Sequence, residues 1–204
     1  YRNVNDSLVT VPSALPNLSE GAAAWGDCDR DGDLDLLLAG EDSSATYVTQ
    51  VYRNDGNGVF TSLGLVTETL GYASVAWADM DNDGRLDGVV SGSTDFSSSG
   101  AKTYVLRNTD GTHFAESAIL TNASGFGGQM AVGDMNGDGR MDIVTVGATS
   151  SGAFVLNVLR NQGSLNFSNQ VYGAFSLRSA SLSLGDYDGD GDLDVAVMGT
   201  PDGV

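Results

Sequence analysis

The stretch Asp27-Cys28-Asp29-Arg30-Asp31-Gly32-Asp33-Leu34-Asp35 sets five aspartates in nine residues directly before the apolar run Leu36-Leu37-Leu38-Ala39. Like charges at alternate positions repel unless a cation sits among them, whereas an apolar run of that length asks to be buried as a strand. Both demands are met if the acidic residues form a tight loop that feeds into the strand. Side-chain oxygens at positions 1, 3, 5 and 9 then converge, the glycine at position 6 permits the turn, and position 7 offers its backbone carbonyl. Such an all-oxygen donor set fits calcium, which accepts six to eight oxygens in flexible geometry. Magnesium keeps more of its waters, and zinc wants His or Cys.

The nonamer recurs as DMDNDGRLD at Asp79–Asp87, DMNGDGRMD at Asp134–Asp142 and DYDGDGDLD at Asp186–Asp194, in steps of 52, 55 and 52 residues. The predicted ligands are Asp27, Asp29, Asp31, Asp33 and Asp35; Asp79, Asp81, Asp83, Arg85 and Asp87; Asp134, Asn136, Asp138, Arg140 and Asp142; and Asp186, Asp188, Asp190, Asp192 and Asp194. Of these, Asp33, Arg85, Arg140 and Asp192 stand at position 7 and serve through the backbone carbonyl, which explains why their side chains vary. About four calcium ions are expected. With Asn136 in place of an aspartate, the third loop should bind more weakly than the others. An EF-hand is excluded because its position-12 Glu is replaced by Leu38, Val90, Thr145 and Val197, each in an apparent strand.

A second motif keeps the same phase. Tyr1-Arg2-Asn3, Tyr52-Arg53-Asn54, Leu106-Arg107-Asn108 and Leu159-Arg160-Asn161 follow one another at 51, 54 and 53 residues. Around these markers each unit reads as four short strands. An alternating stretch precedes the nonamer (Ala73 to Trp77, Ser181 to Leu184), and an aliphatic run follows it (Leu34 to Ala39, Ile143 to Val146). A third run ends at the Arg-Asn pair, and a fourth lies around Phe60, Phe114 or Phe167. No helical period competes. Four antiparallel strands recurring at about 52 residues are the pattern of a β-propeller blade, so residues 1–204 are predicted to form a single all-β repeat domain of about four blades.

Composition excludes several functions. The net charge of −18, with eight Arg and the single Lys102, leaves no basic footprint for nucleic acid or an anionic membrane surface. No apolar run approaches the length of a membrane span, so direct membrane insertion is not expected, and the chain opens at Tyr1 without a signal-like segment. Cys28 is the only cysteine, which rules out an internal disulfide, and it reads as an exposed spacer between aspartates. The lone His113 sits in a turn-like DGTHF with no nucleophile nearby, so no catalytic residues are expected.

The nonamer, the preceding Trp25-Gly-Asp and Trp77-Ala-Asp, and the Arg107-Asn108 pair with Phe114 downstream together resemble the FG-GAP/VCBS repeat family, the blades of integrin-α-like propellers. The resemblance covers essentially the whole chain. The literal Phe-Gly-Gly-Ala-Pro signature is poorly kept, with only an echo at Phe126-Gly127-Gly128, which favours the VCBS branch. It implies an extracellular or cell-surface protein that uses calcium structurally and binds partners elsewhere on the propeller. The expected function is a non-enzymatic adhesion or structural module that contacts other proteins or copies of itself, as a fibre subunit would. The alternatives are a glycan-binding propeller lectin and, last, a calcium-dependent polysaccharide lyase. The lectin reading is weakened because the in-phase aromatics Trp25 and Trp77 give way to Val132 and Leu184.

Three units are complete in sequence, and the fourth is divided between the two termini, as at the ring closure of many propellers. The junction lacks residues for a full third strand, so the expectation is either a longer propeller of about seven blades or open edges completed in trans. Sequons at Asn5, Asn17, Asn122 and Asn166 are candidate glycosylation sites in keeping with secretion.

Overall fold

The computed structural model describes residues 1–10, 15–65, 69–94, 100–121, 126–149, 151, 153–174 and 177–201. Among the described residues sixteen strands carry the fold, and no helix is long and apolar enough to cross a membrane. The first complete sheet is a meander of β3 (Ser19–Gly26), β4 (Asp35–Glu41), β5 (Tyr47–Asn54) and β6 (Phe60–Leu65). The second contains β7 (Gly71–Ala78), β8 (Asp87–Ser93), β9 (Ala101–Asn108) and β10 (Phe114–Thr121). The third contains β11 (Phe126–Gly133), β12 (Asp142–Ala148), β13 (Phe154–Asn161) and β14 (Phe167–Ala174). Every pairing is antiparallel. The predicted four-stranded blade is therefore present three times, with the acidic nonamer always joining its first strand to its second.

Burial explains why the run after each nonamer is uniformly apolar. A second strand lies between the first and third of its own sheet and is covered on its faces, so β8 and β12 are buried along their whole length and need no polar alternation. The cores lie between blades. Leu37 and Val51 of the first blade pack with Val90, Tyr104 and Leu106 of the second, and Leu70 of the connecting segment is buried among them. Val89 and Val105 pack with Met130, Ile143 and Leu159, and Val144, Val146 and Val158 pack with Ala180, Leu182 and Val195. A single four-stranded sheet cannot cover both its faces, and stacking neighbours does so.

One expectation requires correction. Cys28 is not an exposed spacer but is fully buried at the junction of the first two blades, its Sγ 3.8 Å from the Gly111 carbonyl. Position 2 of the loop points inward here, as the buried Met80 does in the next copy, and burial pushes the Cys28 thiol pKa far up. The two parts of the divided fourth unit form separate sheets. β15 (Leu177–Gly185) and β16 (Asp194–Pro201) make one two-stranded sheet, while β1 (Arg2–Val4) and β2 (Ser7–Val9) make another. The latter is a hairpin turned by Asn5 and Asp6 at φ 50° and 63°, the left-handed pair that a two-residue turn of the mirror type requires.

Candidate metal centres

Each loop is bent by the same two backbone positions. Position 6 is glycine at φ 95°, 85°, 81° and 96° (Gly32, Gly84, Gly139, Gly191), where a Cβ would be strained. Position 4 is left-handed as well, at Arg30, Asn82, Gly137 and Gly189, with φ of 64°, 58°, 68° and 78°. This folds the chain around the first carboxylate. The N–H of Gly32, Gly84, Gly139 and Gly191 donates to Asp27, Asp79, Asp134 and Asp186 at 3.2, 2.7, 2.7 and 3.0 Å. At position 5, Asp31, Asp83, Asp138 and Asp190 accept the N–H of position 7 at 2.8 to 3.0 Å, the Asx-turn expected of aspartate in a tight loop.

Position 9 joins the two sequence motifs. Asp35, Asp87 and Asp142 are fully buried. One oxygen of each accepts the N–H of position 2 (Cys28, Met80, Met135) at 2.8, 2.9 and 3.1 Å. The other accepts the N–H of the marker asparagine (Asn54, Asn108, Asn161) at 2.9, 2.8 and 2.8 Å. The asparagine side chain then bridges blades. Asn108 Nδ2 donates to the Leu86 carbonyl of its own loop at 3.1 Å and to the Cys28 carbonyl of the preceding blade at 2.7 Å, and Asn161 does the same with Met141 (3.2 Å) and Met80 (2.7 Å). The spacing of this asparagine is legible in the chain but its role is not, because the partner carbonyls lie about 80 residues upstream.

Carboxylate oxygens of positions 1, 3 and 9 lie within 4.8 Å of one another in three loops: Asp27, Asp29 and Asp35; Asp79, Asp81 and Asp87; Asp186, Asp188 and Asp194. These clusters could hold metal ions. Among the described residues the third loop makes no such three-carboxylate group, in line with Asn136 at its third position. The position-5 aspartates stand outside the clusters, and where position 7 is arginine they are engaged by it: Arg85 pairs with Asp83, and Arg140 with Asp138. The donor set fits a hard cation in one further respect. Among the described residues Asp27 Oδ1 is buried with no hydrogen-bond partner, and a carboxylate oxygen is left in that state at a cost unless a cation faces it. Desolvation raises the pKa of Asp29 and Asp142, and it raises that of Asp87 to about 6. Gly139, donating to Asp134, holds that carboxyl below the usual range.

The arginines of the markers divide. Arg107 pairs with Asp81, the position-3 carboxylate of its own loop, while Arg53 pairs with Asp55 at 2.7 Å. Trp77 is a packing residue: its ring lies 5.8 Å from Phe114 and its Nε1 donates to the Ala24 carbonyl of the preceding blade at 3.1 Å. Its counterpart Trp25 is largely exposed. His113 is exposed, its Nδ1 lying 2.8 Å from Asp110 and 3.0 Å from the Thr112 hydroxyl within one turn. Asn5, Asn17 and Asn166 are exposed, and Asn122 lies outside the described residues.

In-phase acidic hairpins between the strands of stacked four-stranded sheets define a repeat protein of the propeller-blade class. The FG-GAP-like repeat matches residues 27–90, 89–145 and 146–197, and the chain belongs to that family. Repeat domains of this kind generally mediate protein–protein interaction and are typically non-catalytic. No curated protein matches the chain.

Proposed function

We propose that the chain is a non-enzymatic, extracellular structural or adhesion module in which about four calcium ions brace the blades while the propeller surface contacts proteins, including copies of itself. The observation that carries the reading is the buried, unpartnered Asp27 Oδ1 inside an all-oxygen cluster. Calcium would be held by the side chains at positions 1, 3, 5 and 9 and by the position-7 carbonyl, and it would supply charge neutralisation and cross-linking of the loop. Calcium is abundant outside the cell, where sites on rigid hairpins would stay filled. The exposed sequons at Asn5, Asn17 and Asn166 accord with that location, which sugar found on native material by mass spectrometry would support and bare sites would not.

Calorimetric titration tests the calcium assignment: about four equivalents should bind at pH 7, and the absence of heat or stoichiometry would overturn it. Asn136→Asp adds a carboxylate to the third loop and should tighten its site by roughly tenfold, read as a change confined to the weakest site. Acid should weaken the second site. Asp87 has a folded pKa near 6, above its ordinary 3.8. Without metal, its contribution to stability is present below the unfolded value and lost as pH rises through about 6. A cation selects the ionised form, so affinity at the Asp79–Asp87 loop should fall by about tenfold between pH 7 and pH 5.

Glycan binding has one observation in its favour, the exposed Trp25 ring. Loss of glycan retention in Trp25→Ala would support it, and an inert glycan array would remove it.

A further inference from the structure

The two half-blades complement each other. β15 and β16 are the first and second strands of a blade, and Tyr1 with the start of β1 carries the Arg-Asn marker with which the third strand of every complete blade ends. We infer that copies of this chain join head to tail, the β1–β2 hairpin of one copy completing the β15–β16 sheet of another and making a composite blade between them. This names the partner within the proposed function and rests on its protein-binding part, not on the metal.

Five separate contacts found between or within complete blades lack their counterparts at the two half-blades, and each finds its mate across such a junction. The residue after position 9 pairs with the first marker residue: Leu36 with Tyr52, Gly88 with Leu106, Ile143 with Leu159. That register places Tyr1 opposite Val195. Tyr52, Leu106 and Leu159 are 9%, 0% and 1% exposed, whereas Tyr1 is 89% exposed. The second contact is the hydrogen bond from the marker asparagine to position 9. Asp35, Asp87 and Asp142 have it, while Asp194, among the described residues, receives only the Tyr187 N–H, at 3.0 Å; Asn3 of another copy supplies the donor. Third, Arg107 pairs with Asp81 at loop position 3, and the same placement brings Arg2 to Asp188, opposite in charge.

The fourth and fifth contacts lie on the far side of the composite blade. A Cβ on Gly26 would come within 2.6 Å of the Trp77 ring, so the glycine is the seat on which the next blade's tryptophan rests. Gly185 holds the corresponding place and, among the described residues, has nothing within 4 Å of such a Cβ. Trp25, in the first complete blade, is 57% exposed. Likewise Asn108 and Asn161 reach a carbonyl at position 2 of the preceding loop, but Asn54 Nδ2 is bonded within its own blade, to Leu34 at 3.1 Å. Its missing acceptor corresponds to the carbonyl of the exposed Tyr187. The hairpin departs from the complete blades in one respect: its two-residue turn pairs Asn3 with Leu8, where Asn54, Asn108 and Asn161 each pair with a phenylalanine six residues on. Its contribution is the marker edge, with β2 in a register of its own. An interface between two different surfaces propagates unless its rotation closes, so the product is a filament or a ring.

Light scattering in millimolar calcium should give a mass several-fold that of one chain. Gly185→Leu tests the interface without touching a loop carboxylate, since the free chain has room for the side chain and the junction does not. It should leave the melting temperature of the dilute protein unchanged and return the mass to a single chain. Tyr1→Cys and Val195→Cys variants, mixed under mild oxidation, should give a disulfide-linked dimer that neither gives alone. A single-chain mass for the unaltered protein, no cross-link in the mixture, or assembly undisturbed by Gly185→Leu overturns the inference. A single-chain mass accompanied by calcium-dependent melting would leave the calcium reading standing, whereas assembly without calcium-dependent melting would do the reverse.

Discussion

In excess chelator the protein should melt at least about 20 °C below its melting temperature in millimolar calcium. The size follows from linkage. An ion that binds only the folded loop at about 100 times its dissociation constant contributes about 2.7 kcal/mol. Four such loops would contribute about 10 kcal/mol, on the scale of the whole net stability of a domain. For a chain of this length each kcal/mol moves the transition by roughly 2–4 °C. The clusters of Asp27, Asp29 and Asp35 and of Asp79, Asp81 and Asp87 also repel internally without a cation, so the unfavourable term is largest when the metal is gone. Scanning calorimetry at low protein concentration, with calcium and then with chelator, makes the comparison. Coincident transitions would mean that the loops do not brace the fold, and the calcium assignment would fall with them.

Asn108→Ala should be the most damaging single change outside the carboxylates, at about 3–5 kcal/mol. The side chain is fully buried. It donates to the Cys28 and Leu86 carbonyls and accepts the Gly111 N–H at 2.6 Å. Alanine would leave those three groups without partners at a blade junction. Asn54→Ala provides the internal comparison. Asn54 bonds only within its own blade, to the Leu34 carbonyl and the Gly56 N–H, and is partly exposed, so its loss should cost about 1 kcal/mol in the dilute, unassembled protein. Denaturant midpoints with matched slopes measure both. Equal effects would show that the bond between blades adds nothing, and that the asparagine acts only inside its hairpin.

Much of this molecule is legible without coordinates. The spacing of Asp27, Asp79, Asp134 and Asp186, and of the Arg-Asn pairs in phase with them, is a local property of the chain. It determines the repeat period, the four strands of a blade and the loops in which oxygens gather, because turn chemistry and strand periodicity act over a few residues. The glycine at position 6 carries its own explanation in a positive φ. Residues whose role depends on a neighbouring blade were not legible in the same way. Cys28 looks exposed between two charges, yet the next blade's Asn108–Gly111 turn covers it.

What the sequence by itself determined is therefore the repeat, the strand order within a blade and the acidic loops, all set by interactions inside about 50 residues. Tertiary structure alone decided that Asp35, Asp87 and Asp142 are buried hubs, that Asn108 and Asn161 tie one blade to the one before, and that Trp77 is packed while Trp25 is bare. The physical reason is that the ties of Asn108, Asn161 and Trp77 run between residues some 50 to 80 positions apart, and that the three aspartates, whose own bonds lie within about 20 residues, are buried only once the sheets stack. Local propensity carries no information about such pairs, and burial is a property of the stacked sheets, not of the strand that is buried.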